Sequence, residues 1–208
     1  MSIITYDELK TAIASWLHRE DLTSSIPDFI TLCESYLNTK LRLRSMIATA
    51  TINPSTTDTF VSLPTRFLEP ISFTDDLGDT LQQVHPDELA ERAYAANNYR
   101  PEYYAITSRI EFPRKADSSY DFKMVYYKGL DLATDGTNDV LTDYPNIYLY
   151  GSLAQAEPYL KNDGRIQTWI SLYEEAVKTA NNRNQQNLRK LRTDHPGVNS
   201  SFNILRGY

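Results

Sequence analysis

The sequence has a single cysteine, three histidines and only seven glycines in 208 residues, and each scarcity removes a class of function. One thiol cannot form an internal disulfide, and a zinc site would need ligands that the chain does not cluster. Cys33 instead lies at helical spacing with Phe29, Ile30 and Leu37, the position of a buried structural thiol. His18, His85 and His195 are dispersed and share no metal-ligand spacing. So few glycines leave little material for a phosphate-cradling loop, and neither G-x-G-x-x-G nor G-x-S-x-G occurs. No apolar run approaches the roughly 18–20 residues that span a bilayer. The first eight residues have no basic segment followed by an apolar core, so no secretory signal is expected, and assembly in a cytoplasm is. No cofactor, metal or membrane is implied, and no pair among the 27 acidic residues stands out for acid–base work. A catalytic role is therefore not expected.

What the chain does have is charge of uneven sign. The net formal charge is −6. From residue 183 onward, Arg183, Arg189, Lys190, Arg192 and Arg206 face only Asp194, a balance of +4 that leaves −10 on the residues before them. An acidic body does not suit a protein that grips nucleic acid, because phosphate contacts need clustered Lys and Arg. It does suit a surface past which DNA slides. Fifteen tyrosines are also present, a residue favoured at protein–protein contacts.

The hydrophobic period divides the chain into three stretches. Thr5 and Glu8 form a capping box, after which Leu9, Ala12, Ile13, Trp16 and Leu17 recur at helical spacing. A second helix starts near Ser25 with Pro27 in its first turn and is expected to reach about Met46. From residue 47 the period becomes two. The expected strands are Ile47–Ile52, Thr59–Leu63, Ile71–Thr74, Tyr103–Ile106, Arg109–Phe112 and Tyr120–Tyr127, with a short helix over Pro86–Ala95. Asp75, Asp76 and Asp79 around Gly78 suggest a solvated hairpin turn, since the spacing of a calcium loop is missing. After Gly136 the helical period returns over Pro145–Leu160, capped by Thr142 or Asp143. It resumes in Ile166, Trp169, Ile170, Tyr173, Ala176, Val177 and Ala180.

That stripe stops at Ala180, and Asn181–Asn187 could stay helical with little to bury. The expected fold is α+β: a four-helix bundle built from residues 1–46 and 141–192, an inserted small β-rich region over 47–140, and an extended tail over 193–208. Trp16 is expected to approach the 166–180 helix, because neither helix pair can bury its stripe alone. Arg183, Arg189, Lys190 and Arg192, followed by Phe202, Ile204, Leu205 and Tyr208, are candidate partner-docking residues. Too few apolar groups accompany them to order the segment without a partner.

The segment from Thr137-Asn138-Asp139-Val140-Leu141 through Tyr144-Pro145-Asn146-Ile147-Tyr148-Leu149-Tyr150 to Pro158-Tyr159-Leu160 resembles the head-to-tail adaptor (connector) family of short-tailed bacteriophages. Tyr6-Asp7-Glu8-Leu9, Ile26-Pro27-Asp28-Phe29-Ile30 and Leu41-Arg42-Leu43-Arg44 are similar to that family's opening helices. Leu63-Pro64-Thr65-Arg66-Phe67-Leu68, Arg100-Pro101-Glu102-Tyr103-Tyr104-Ala105-Ile106 and Val125-Tyr126-Tyr127 are similar to its middle strands. The order of these stretches along residues 5–180 carries the likeness rather than any one of them. Asp139-Val140 departs from it, where the family often has an aromatic before the leucine.

The resemblance implies a non-enzymatic virion protein, assembled in the host cytoplasm and located at the neck. Its partners would be the portal protein, a tail nozzle or tube protein, and itself, in a ring of about twelve copies closed by heterologous contacts. DNA would pass through the channel without specific binding. The alternatives are another neck or tail completion protein, a nucleic-acid-binding protein using the basic C-terminus, and a hydrolase with a dispersed carboxylate pair.

Overall fold

In a computed structural model the described residues are 3–19, 21–94, 99–160 and 164–193. In chain order the elements are α1 (Tyr6–Leu17), α2 (Ile26–Lys40), β1 (Ile47–Ile52), β2 (Phe60–Val61), β3 (Phe67–Thr74), β4 (Gln82–Gln83) and α3 (Pro86–Glu91). There follow β5 (Tyr103–Ile106), β6 (Ile110–Glu111), β7 (Phe122–Lys128), α4 (Leu132–Asp135), α5 (Asp139–Asp143), α6 (Pro145–Gln155) and α7 (Arg165–Thr193). The chain divides into two compact units, Met1–Arg44 with Gly136–Tyr208, and Ser45–Asp135.

The α+β class holds, but the four-helix bundle does not. Among the described residues there are seven helices and two sheets of three and four strands. A four-helix bundle needs four helices that each offer one apolar stripe to a shared seam. Here α6 buries Ile147, Tyr148, Leu149, Gly151, Ser152 and Leu153, residues that cover most of its circumference and leave Asn146 exposed and Tyr150 and Ala154 half-buried on the remaining side. A helix buried so widely is the central helix of its unit rather than one of four equal stripes. Helices α7, α2, α1 and α5 all pack on it. Trp16, expected against the last helix, is about half exposed and lies edge-on to Tyr150 of α6, with ring centroids 5.9 Å apart. Its carbonyl accepts a hydrogen bond from Arg165 Nη1 at 3.4 Å.

Two devices seat α6. Tyr148, fully buried, donates to Glu34 Oε1 at 3.0 Å and accepts from Asn138 Nδ2 at 2.9 Å. Asn138 also caps α5 through its Oδ1, which accepts from the Leu141 amide at 2.7 Å. A buried phenol and carboxylate thus satisfy one another across α2 and α6. Second, α6 meets α2 and α7 at Gly151. A Cβ there would collide with Cys33 Sγ and would stand 2.9 Å from the Tyr173 ring. Cys33 is buried at this crossing, and burial, with Glu34 beside it, pushes its thiol up to about 12.

Local signals explain the ends of the helices. The α1 capping box is present, with the Glu8 amide donating to Thr5 Oγ1 at 3.3 Å and the Thr5 amide donating to Glu8 Oε2 at 3.1 Å. Helix α2 ends at Lys40, earlier than its apolar series suggests. Leu41 is already extended, and Leu41 and Leu43 bury alternately around Arg42, a strand-like period that overrides the helical one. The loop before α6 is itself helical, so α6 starts from Tyr144 without a side-chain cap instead of from Thr142 or Asp143, and Asn138 caps α5.

In the other unit, β7 runs between β1 and β3, antiparallel to both. The second sheet has the order β2-β6-β5-β4, with β4 parallel to β5. Their inner faces share one core that includes Ile52, Phe73, Tyr104, Ile110, Phe122 and Met124. Phe73 lies at its centre, edge-on to Tyr104 at 5.0 Å and to Phe122 at 6.0 Å. Strand β3 starts at Phe67, four residues before the expected Ile71. Pro70 is tolerated because β3 is an edge strand with register shifts on both sides of it. The short β4 and α4 carried no period long enough to read.

Two arginine–aspartate pairs tie loops to this core. Arg66 adopts a left-handed backbone (φ 56°), and its guanidinium holds Asp135 through two 2.7 Å hydrogen bonds. Arg100 holds Asp75, with Nε 3.0 Å and Nη2 2.6 Å from Oδ2, and also reaches Asp76. The Arg66 bonds outweigh burial and keep Asp135 below the usual carboxylate value. For Asp75, burial pushes the carboxyl up, but Arg100 and the amides of Asp79 and Leu77 pull it further down.

Two tests follow from this packing. Gly151→Ala should destabilise the protein by about 1–3 kcal/mol in urea unfolding, since the added methyl overpacks a three-helix crossing. A loss within the error of the measurement would show that α2 and α7 are not held that close. The second test is pH dependence. Both carboxyls have lowered values in the folded state, so their contribution is present above the unfolded carboxylate pKa, roughly 4, and is lost as pH falls below it. The gap in urea midpoint between the wild-type chain and Arg66→Gln should therefore shrink from pH 7 to pH 3. An unchanged gap would mean that the Arg66–Asp135 pair contributes nothing.

Candidate partner-binding surface

The docking residues read from the sequence fall into two groups. Arg183, Arg189, Lys190 and Arg192 lie on α7, a helix of 29 residues and so roughly 40 Å long. The Arg183 side chain is exposed. Phe202, Ile204, Leu205 and Tyr208 lie outside the described residues.

The helix does not stop where its apolar stripe stops. Asn184, missed in the sequence, makes a two-point clamp four residues beyond Ala180. Its Nδ2 donates to the Arg42 carbonyl at 2.9 Å, and its Oδ1 accepts from the Arg44 amide at 3.3 Å. The carboxamide thus replaces a missing strand partner for the extended stretch after α2. An isolated Asn in a polar run carries no sign of this in sequence, because its partners lie 140 and 142 residues away.

Between α2 and α7 lies a second feature, a cleft of about 340 Å³. Its floor is Tyr36, Tyr173 and Val177, and Lys40, Lys178 and Glu174 stand at its rim. Tyr36 and Tyr173 meet at a ring-centroid distance of 5.8 Å, and the Lys40 ammonium lies 5.8 Å from the Tyr36 ring. Tyr36 is about half exposed and so is Leu32, one turn before it on α2. Both fall off the stripe of Phe29, Ile30, Cys33 and Leu37, and apolar residues off a core stripe were the available signal. Burial holds the Tyr173 phenol far above its ordinary value, so it stays un-ionised.

Among the described residues no three His, Cys, Asp or Glu side chains are placed to hold a metal ion. None of the described helices is long and apolar enough to cross a membrane. The candidate turn at Asp75, Asp76 and Asp79 is braced internally rather than solvated throughout: Asp75 is buried and its Oδ1 accepts from the Leu77 and Asp79 amides at 2.9 and 2.8 Å.

The model of the SU10 adaptor protein family matches residues 4–196. The chain belongs to that family. The SU10 adaptor is a phage adaptor protein, a structural component of the virion. The match runs through both units and along the whole of α7, so the basic end of that helix lies within the family's own extent. No curated protein matches the chain.

The Asn184 clamp gives a direct test. Asn184→Ala removes two hydrogen bonds and should cost about 1–3 kcal/mol, since the ordinary net value is roughly 0.5–1.5 kcal/mol for each. Amide exchange should accelerate in α7 after residue 180 while α6 keeps its protection. Unchanged exchange there would show that the helix is held by something other than this side chain.

Proposed function

We propose that this adaptor joins the phage head to its tail. It forms a ring of about twelve copies beneath the portal, closed by head-to-tail contacts between copies, and offers a platform to the nozzle or tube. The observation that carries the reading is the match of residues 4–196 to the SU10 adaptor family. The charge distribution supports it. A body of net −10 repels DNA phosphate, so a channel formed by such subunits lets the genome pass without retaining it. Arg183, Arg189, Lys190 and Arg192 on α7, with Phe202, Ile204, Leu205 and Tyr208 beyond it, dock on the portal or a neighbouring copy. Assembly takes place in the host cytoplasm, and the ring remains at the virion neck without enzymatic activity.

The test uses the full chain and the portal protein of the same virion. Arg189→Gln, Lys190→Gln and Arg192→Gln together leave the Asn184 clamp intact and should weaken portal binding about tenfold or more. Circular dichroism and the urea midpoint should not change. Binding as tight as that of the unaltered chain, in the same salt, would remove the basic end of α7 from the portal contact. Tight, steeply salt-dependent binding of DNA duplex by the unaltered chain would instead favour a nucleic-acid-binding protein.

A further inference from the structure

The most exposed large apolar side chain among the described residues is Leu77, 75% exposed at the tip of the turn between β3 and β4. An exposed leucine on a loose loop would carry little meaning, but this turn is rigid. Asp75 Oδ1 accepts from two of its amides, the Asp75 amide donates to the Asp79 carbonyl at 2.8 Å, and the Gly78 amide donates to the Asp75 carbonyl at 3.2 Å. Gly78 supplies the left-handed corner at φ 92°, and Arg100 fixes Asp75 and Asp76 from behind. The leucine is therefore presented in one place, at small entropic cost on binding. Asp76 and Asp79 flank it, both exposed.

The cleft between α2 and α7 has the complementary character. Its floor is aromatic and aliphatic, and two of its three charged rim residues are Lys40 and Lys178. Even with Glu174 counted, the rim is net positive, whereas the turn with Arg100 is net negative. One chain thus carries both a rigid apolar knob with an acidic collar and an apolar cleft with a basic rim.

We propose that the cleft between α2 and α7 receives the Leu77 turn of a second copy of this chain. Leu77 enters against Tyr36, Tyr173 and Val177, while Asp76 and Asp79 approach Lys40 and Lys178. The contact joins two different patches, so it is heterologous and leaves each copy with a free knob and a free cleft, as addition around a ring requires. The proposal rests on the reading of the protein as a self-assembling adaptor, and it names the residues that join neighbours.

Two chains, each with one added cysteine, test it. Leu77→Cys and Val177→Cys chains carrying different tags are mixed and oxidised, with Cys33 left in place because it is buried. The mixed cross-link should exceed either same-chain cross-link about tenfold, fall when Lys178→Asp is added, and recover when Asp79→Lys is added to the other chain. Recovery on charge exchange cannot come from misfolding. A mixed cross-link no more abundant than the same-chain products overturns the proposal. Rings formed on the portal without this cross-link would overturn the contact and leave the adaptor reading standing. The cross-link in a chain that does not bind portal would support the contact and count against that reading.

Discussion

The burial of α6 over most of its circumference is the constraint from which the rest of the helical unit follows. A helix with so wide a buried face needs several neighbours, and α1, α2, α5 and α7 supply them. The close approach of α2 and α7 at Gly151 and the satisfied group of Tyr148, Glu34 and Asn138 then fix where each of them lies. The apolar stripe of α7 is spent on that contact up to Ala180, which is fully buried. The cleft beside Tyr36 and Tyr173 is the outer margin of the same packing. The core and the exposed surface that it leaves are therefore one arrangement.

Much of the local structure is legible in the sequence because it is dictated within a few residues. The Thr5–Glu8 box, Pro27 in the first turn of α2 and the alternation of β7 are all of this kind. The places where reading fails are those settled at long range. A run such as Ile147–Leu153 gives no direction to its period, so it reads as one helix of a bundle when it is the helix the others wrap. Leu41 and Leu43 continue an apolar series that looks helical, yet they alternate once Asn184 supplies hydrogen bonds to the stretch between them. Pro70 reads as a strand breaker, but an edge position lets β3 pass through it. The candidate surface behaved similarly. Its basic end was visible as a change of charge, whereas the cleft depends on a helix pairing that no short-range signal encodes.

The two units divide the molecule's properties between them. One presents a long helix ending in positive charge, and the other a small pair of sheets with short edges and a braced, acidic, apolar-tipped turn. Membership of the SU10 adaptor family makes the chain a phage adaptor protein, a structural component of the virion. In the proposed ring the negative body would be the wall of a passage, and the positive helix end the part that meets a partner.

Electron microscopy of the protein mixed with its portal tests this account most directly. The account predicts a closed ring of about twelve copies added to one end of each portal particle, with an open channel along the axis. Portal particles without added density, or with copies attached singly and in no ring, would contradict it.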